Sequence, residues 1–276
     1  MASHGPRPVA LVTGACSGIG RAIADRLAAR GHALVLVSER PGPLEEAAAG
    51  IRSAFGVPVE VVCLDLACPG AAEELHRRVR SLGLTVEVLV NNAGTFFFGE
   101  AVDATLHRAS ALLQLHVVTP SLLCTLFGRE MRDRRSGRIL LVSSISAWRD
   151  FPGIAYYGSS KRYLRGFARA LRSELSVYGI TVTCLAPGPT ATGLYGLDSA
   201  AVRRGRRLGL FLDPGRVADQ GVRALLAGRA ECVPGFSSRA MALLAAAAPQ
   251  WVVDLVRRRS RWLPKAGGSA RIRTGE

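Results

Sequence analysis

Short apolar runs alternate with amphipathic helical stretches along roughly the first 190 residues, and nothing else in the chain limits its possible folds as severely. Pro8 to Val12 is apolar and meets Gly14, after which Ile19 to Ala29 repeats at helical spacing and stops at Gly31. Ala33 to Val37 is the second run, followed by a turn at Pro41-Gly42-Pro43 and a helix from Leu44. Val57 to Leu64 is a third strand, Ala71 to Leu82 a helix, and Val86 to Val90 a fourth strand. A long helical region from Thr105 to Arg134 leads to a strand at Arg138 to Val142, then a helix running to about Tyr178 and a sixth strand at Thr181 to Leu185. Strands that alternate with helices build βαβ units, so they run parallel with right-handed crossovers. Runs such as Leu34-Val35-Leu36-Val37 have no polar face, as expected where helices cover both sides of a sheet. The expected fold is α/β: a doubly wound parallel sheet forming one domain over residues 1–235, with a substrate lid at about 190–215. A basic amphipathic extension is expected to follow over residues 236–276.

Two local patterns carry chemistry. Thr13-Gly14-Ala15-Cys16-Ser17-Gly18-Ile19-Gly20 closes the first strand and opens the first helix. Glycines there allow a tight turn and a close approach of pyrophosphate to a helix N-terminus, where unpaired N–H groups favour an anion. The second pattern is Tyr157-Gly158-Ser159-Ser160-Lys161, with Ser144 thirteen residues upstream. Lys161 is one of two lysines, with Lys265, among 36 basic residues. A chain that uses Arg almost everywhere and keeps a Lys here needs a compact ammonium rather than a planar fork. At i and i+4 the two side chains share a helix face, and an ammonium would pull the phenol down from its ordinary pKa of about 10.

These motifs resemble those of the classical short-chain dehydrogenase/reductase family, in order and spacing, over roughly residues 8–192. Thr13-Gly14-x-x-x-Gly18-Ile19-Gly20, with Ser17, is similar to that family's cofactor loop, and Asp65 to its adenine-contacting Asp. Asn91-Asn92-Ala93-Gly94 is similar to its Asn-Asn-Ala-Gly signature, with Asn91, Ala93 and Gly94 expected at the cofactor. Ser144, Tyr157 and Lys161 match its catalytic set, and Pro187, Gly188 and Thr190 match the loop beside the nicotinamide. The resemblance implies a Rossmann-type fold and hydride transfer between a nicotinamide cofactor and a carbonyl or carbinol carbon. It assigns Tyr157 as acid/base, Ser144 as the substrate-oxygen contact, and Lys161 to the Tyr pKa and the nicotinamide ribose. Ser143 competes with Ser144, and the spacing to Tyr157 favours Ser144; Tyr156 is excluded because its i+4 residue is Ser160.

Two positions depart from the family pattern. The second strand ends Ser38-Glu39-Arg40, so Ser38 stands where enzymes using NAD carry a carboxylate. Ser38 and Arg40 favour the 2′-phosphate of NADP(H), while Glu39 opposes it and leaves NAD(H) open. His116 stands where the resemblance implies a catalytic Asn acting through its main-chain carbonyl. Its imidazole could join the proton relay or be held by core hydrogen bonds.

Composition excludes several classes. The net charge of +15 does not imply nucleic-acid binding, because residues 201–276 alone hold 15 Lys/Arg against 5 Asp/Glu and aromatics are only 6%. Five scattered His and six Cys (16, 63, 68, 124, 184 and 232) offer no metal-ligand spacing, so no metal is expected. Free thiols and the polar lead from Met1 to Pro8 point to a reducing, cytoplasmic compartment. Leu194, Tyr195, Leu197, Leu208, Leu210 and Phe211 suggest an apolar lid, and Phe96-Phe97-Phe98 an apolar wall, so an apolar, lipid-like ketone or alcohol is the expected small-molecule partner. Phe236 to Pro264, with Trp251, Trp262 and Arg257-Arg258-Arg259-Ser260-Arg261, reads either as an interfacial helix giving peripheral membrane contact or as a helix packed on the fold or on a sister subunit. A homo-oligomer, dimer or tetramer, is expected. The alternatives to a ketone reductase are an NAD-linked secondary-alcohol dehydrogenase and a cofactor-binding scaffold without turnover.

Overall fold

The structure is a computed structural model of the chain; residues 7–195, 203–205 and 211–259 are described. Seven strands form one sheet: β1 (Val9–Thr13), β2 (Ala33–Ser38), β3 (Val59–Cys63), β4 (Val86–Asn91), β5 (Gly137–Val142), β6 (Ile180–Leu185) and β7 (Glu231–Cys232). All neighbours pair in parallel in the order β3-β2-β1-β4-β5-β6-β7. The order reverses between β1 and β4, and loops diverge there to open a crevice at the strands' carboxyl ends.

Alternate strand residues feed two separate cores. Val9 and Leu11 of β1 point into one core, where Leu75, Leu123, Phe127, Met131 and Leu164 also pack. Ala10 and Val12 point into the other, with Ile23, Leu27, Leu44, Ile51, Val217 and Val222. The first face is therefore covered by α3 (Ala71–Ser81), α5 (Thr119–Asp133) and α6 (Ala155–Ser176). The second carries α1 (Gly18–Ala28), α2 (Pro41–Phe55) and α7 (Pro214–Leu226). Burial on both faces is what the continuous apolar strands require.

Three details differ from the sequence reading. Pro41-Gly42-Pro43 is no turn: Pro41 opens α2, where a residue without an N–H forfeits no helical hydrogen bond. The long helix before β5 is α4 (Leu106–Leu113), a π-turn over Gln114–Val118, and then α5. β7 is two residues long, too short to carry a periodic signal. Beyond it, α8 (Phe236–Ala247) and α9 (Gln250–Arg259) flank Pro249.

Candidate active site

Loops at the carboxyl ends of β1 through β6 surround a cleft of about 520 Å³. The glycine loop forms its floor. Gly14 has φ +63°, and a Cβ there would stand 2.9 Å from the Ala93 Cα. A Cβ on Gly20 would collide with the Gly14 carbonyl and the Asn92 side chain. Both positions therefore leave room only for hydrogen, so the two loops close together beneath the open N-terminus of α1.

Polar contacts lock those loops. The Thr13 hydroxyl accepts from the backbone N–H groups of Asn92 (2.9 Å) and Ala93 (3.0 Å) and donates to the Val90 carbonyl. Asn92 Nδ2 donates to the carbonyls of Thr13 (2.9 Å) and Gly14 (3.3 Å). Asn91 turns the other way, donating to Cys124 Sγ at 3.4 Å outside the cleft lining. Thus the pair's clamp is Asn92, which the sequence reading passed over, and consecutive strand-end side chains face opposite sides.

The end of the cleft beyond β2 is polar and cationic. Arg40 donates to Cys16 Sγ (2.9 Å) and Ser17 Oγ (3.1 Å), while Cys16 and Ser38 lie 3.2 Å apart. Burial raises the Cys16 thiol, but hydrogen bonds to Ser38, Arg40 and Ser17 and the Arg40 charge outweigh it and leave its pKa below the ordinary value. Glu39 lines the same rim. Asp65 is exposed and lies outside the lining, where its carboxylate accepts from the Ala67 N–H at 2.8 Å.

At the opposite end stand Ser144, Tyr157 and Lys161. Ser144 begins the turn after β5, its hydroxyl accepting from the Ser146 N–H at 3.2 Å, and it also hydrogen-bonds the Tyr157 phenol. Ser143 donates instead to the Lys161 carbonyl at 2.7 Å, so it anchors α6 and leaves the phenol to Ser144. Lys161 donates to the Val142 carbonyl at 3.1 Å, and its Nζ lies 5.7 Å from the Tyr157 ring centre. Burial brings the Lys161 ammonium down from 10.5 to about 8. Burial also lifts the Tyr157 phenol well above its ordinary 10, with Tyr195 adding to the rise and the Ser144 hydrogen bond opposing it. The expected depression of Tyr157 by Lys161 is not what governs the phenol: burial sets the direction, and the opposing contact is Ser144.

His116 sits in the π-turn, fully buried, with both ring nitrogens engaged. Ser160 already donates to the Tyr157 carbonyl (2.8 Å), so its oxygen accepts from His116 Nδ1 at 2.9 Å. Nε2 accepts from the Thr95 N–H, also at 2.9 Å. This arrangement assigns the neutral Nδ1–H tautomer, consistent with burial and the nearby Lys161 charge holding the ring's pKa far below 6.5. Of the two roles open to the ring, the geometry matches the held one: His116 ties the loop after β4 to the helix carrying Tyr157. Residues such as Ser160 and Thr95 had no sequence signal, because their function exists only as contact.

The loop after β6 closes the cleft. Thr190, buried, donates to the Gly188 carbonyl, and Thr192 packs on Gly18. Phe96 meets Tyr157 and Tyr195 edge-on, with ring centres at 4.9 and 5.1 Å. Phe97 is buried under Arg108 and beside Tyr156, and none of Phe96, Phe97 and Phe98 is among the residues lining the cleft; Phe96 acts on it through Tyr157 and Tyr195. Leu194 and Tyr195 line the cleft and Phe211 packs near Tyr195; Leu197, Leu208, Leu210 and the tail from Ser260 onward, with Trp262, lie outside the described residues.

Comparison with known proteins agrees with this architecture. The family model described as short chain dehydrogenase matches residues 8–201. Over 184 residues the chain is 36% identical to the human dehydrogenase/reductase SDR family member 4, covering 65% of this chain and 65% of that protein. A short-chain dehydrogenase from Sphingobium yanoikuyae, solved in complex with NADPH, superposes with a TM-score of 0.76 at 26% identity, over 94% of this chain and 99% of that one. The bulky-bulky ketone specific alcohol dehydrogenase from Comamonas testosteroni gives 0.74 at 25% identity, over 93% and 99%. With its parallel sheet, glycine loop and Ser-Tyr-Lys cleft, the chain belongs to the classical short-chain dehydrogenase/reductase family.

Proposed function

We propose that this oxidoreductase uses NADPH to reduce the carbonyl of an apolar, lipid-like ketone. The observation that carries the reading is the joining of two poles in one cleft: an Arg40-Ser17-Ser38 cluster at one end and Ser144, Tyr157 and Lys161 at the other. Gly14, Gly18, Ile19, Ala93, Gly94, Pro187, Gly188 and Thr190 lie between, and the Cβ-free floor fits a pyrophosphate. Arg40 would pair the 2′-phosphate, with the Ser17 and Ser38 hydroxyls donating to it. What NADPH supplies there is a hydride to the carbonyl carbon. Tyr157 gives its hydroxyl proton to the carbonyl oxygen, so alkoxide never accumulates. Ser144 holds that oxygen with a fixed dipole where charge develops. Lys161 holds an ammonium 5.7 Å from the ring centre, a charge that would favour phenolate as the proton leaves. Tyr195, edge-packed through Phe96 onto Tyr157, makes the substrate end apolar.

Tyr157→Phe tests this directly. Fluorescence titration should show NADPH still bound, while ketone-dependent NADPH oxidation drops by roughly 10²–10⁴-fold. A variant as fast as the parent would remove Tyr157 from the chemistry. Glu39 on the rim favours the second reading, an NAD-linked alcohol dehydrogenase, and tighter binding of NADH than NADPH by the parent protein would establish it.

A further inference from the structure

α8 presents its apolar face to solvent. The helix buries Ser238 and Ala242, and Ser238 packs on Gly188 beside the cleft. At helical spacing, Phe236, Leu243 and Leu244 fall on the side opposite those residues, and they are 86%, 70% and 72% exposed. A surface helix on a water-facing protein carries polar residues on that arc. The next helix, α9, continues the pattern: Val253 is buried, while Trp251 is 65% exposed.

We propose that this face docks on an anionic lipid surface. Charge selects that occupant. The sequence of α8 and α9 holds Arg239, Arg257, Arg258 and Arg259 against Asp254. A twofold interface between copies would bring this cationic segment against itself or its neighbour, so like charges would oppose the apolar gain. An anionic headgroup layer accepts both the cations and the apolar face. Trp251 fits the boundary, with an apolar body and a polar N–H. The attachment is interfacial, because α8 has 12 residues and α9 has 10, too short to span a bilayer. The one described stretch with spanning length and hydropathy, Leu106–Asp133, sends Leu112, Leu123 and Phe127 into the protein's interior. Since α8 packs against the loop of Gly188, docking would set the cleft's substrate end near the membrane; that consequence alone rests on the ketone-reductase reading.

The test is flotation of the full chain with phosphatidylcholine vesicles, with and without about 30 mol% phosphatidylglycerol. Partitioning should rise at least about tenfold with the anionic lipid and fall as salt increases from about 0.1 to 0.5 M. Leu243→Glu/Leu244→Glu should reduce it about tenfold or more while circular dichroism and NADPH binding stay at parental values; Phe236→Ser, at the exposed end of the face, should weaken it in the same direction. Equal partitioning with neutral and anionic vesicles, or parental flotation of both variants, overturns the proposal. So does sedimentation showing an oligomer that the double variant dissociates, which would assign the face to a second copy. Failure of ketone reduction with flotation intact would count against the enzymatic reading and leave the docking surface standing.

Discussion

Replacing His116 with Asn separates a ring that holds structure from a ring that moves protons. His116 is buried, neutral and bonded on both sides, to Ser160 and Thr95. Asn has the family's residue type and can keep one of those contacts, so near pH 7.5 the variant should be less stable by about 1–3 kcal/mol. The pH dependence is more diagnostic. The folded pKa of His116 lies below the unfolded value near 6.5, so its contribution is present above pH 6.5 and lost as the pH falls. Below that point the unfolded chain takes up a proton that the native ring refuses, and the parent loses about 1.4 kcal/mol per pH unit relative to a chain without the imidazole. As the pH falls from 6.5 towards 5 the gap between parent and variant should therefore narrow. His32 is also buried with a lowered pKa, but it is present in both proteins and cancels in the difference. Urea melts of both proteins at pH 5, 6, 7.5 and 8.5 would measure this. A stability gap independent of pH would refute the neutral-histidine assignment. Loss of a limb in the variant's pH–rate profile would show that the ring does carry protons.

Four further expectations follow from the same cleft. Arg40→Ala removes a charge-assisted contact at a solvent-open rim, so NADPH affinity should fall roughly 10–30-fold while NADH binding changes little, as measured by parallel fluorescence titrations; equal losses would place Arg40 away from the 2′-phosphate. With Lys161 near 8, parental kcat/KM for cofactor should decline as pH rises through about 8, when the ammonium is lost. Lys161→Arg should lack that limb yet run well below the parent at neutral pH, because its wider fork cannot occupy the buried Nζ position; near-parental activity would make Lys161 an ordinary charge. Gly20→Ala should weaken cofactor binding at least about tenfold and lower Tm by several degrees, since its methyl meets the Gly14 carbonyl and only a backbone shift can relieve it.

The order of strands and helices, the glycine loop and the Ser144-Tyr157-Lys161 spacing were readable from the chain, because each depends on local periodicity or on residues close in sequence. What the chain did not reveal turns on direction and burial. Asn91 and Asn92 are adjacent and chemically identical, yet only the tertiary structure sends Asn92 onto the Thr13 carbonyl and Asn91 toward Cys124. Ser143 and Ser144 are told apart by spacing, but their separate partners, the Lys161 carbonyl and the Tyr157 phenol, exist only once α6 lies across β5. The sequence left His116 either a relay or a held ring, and that choice depends on Ser160 and Thr95, 44 and 21 residues away. The sign of the Tyr157 shift is likewise a tertiary property. Sequence spacing identifies the nearby ammonium, whereas desolvation is summed over every atom that excludes water, and here desolvation sets the direction.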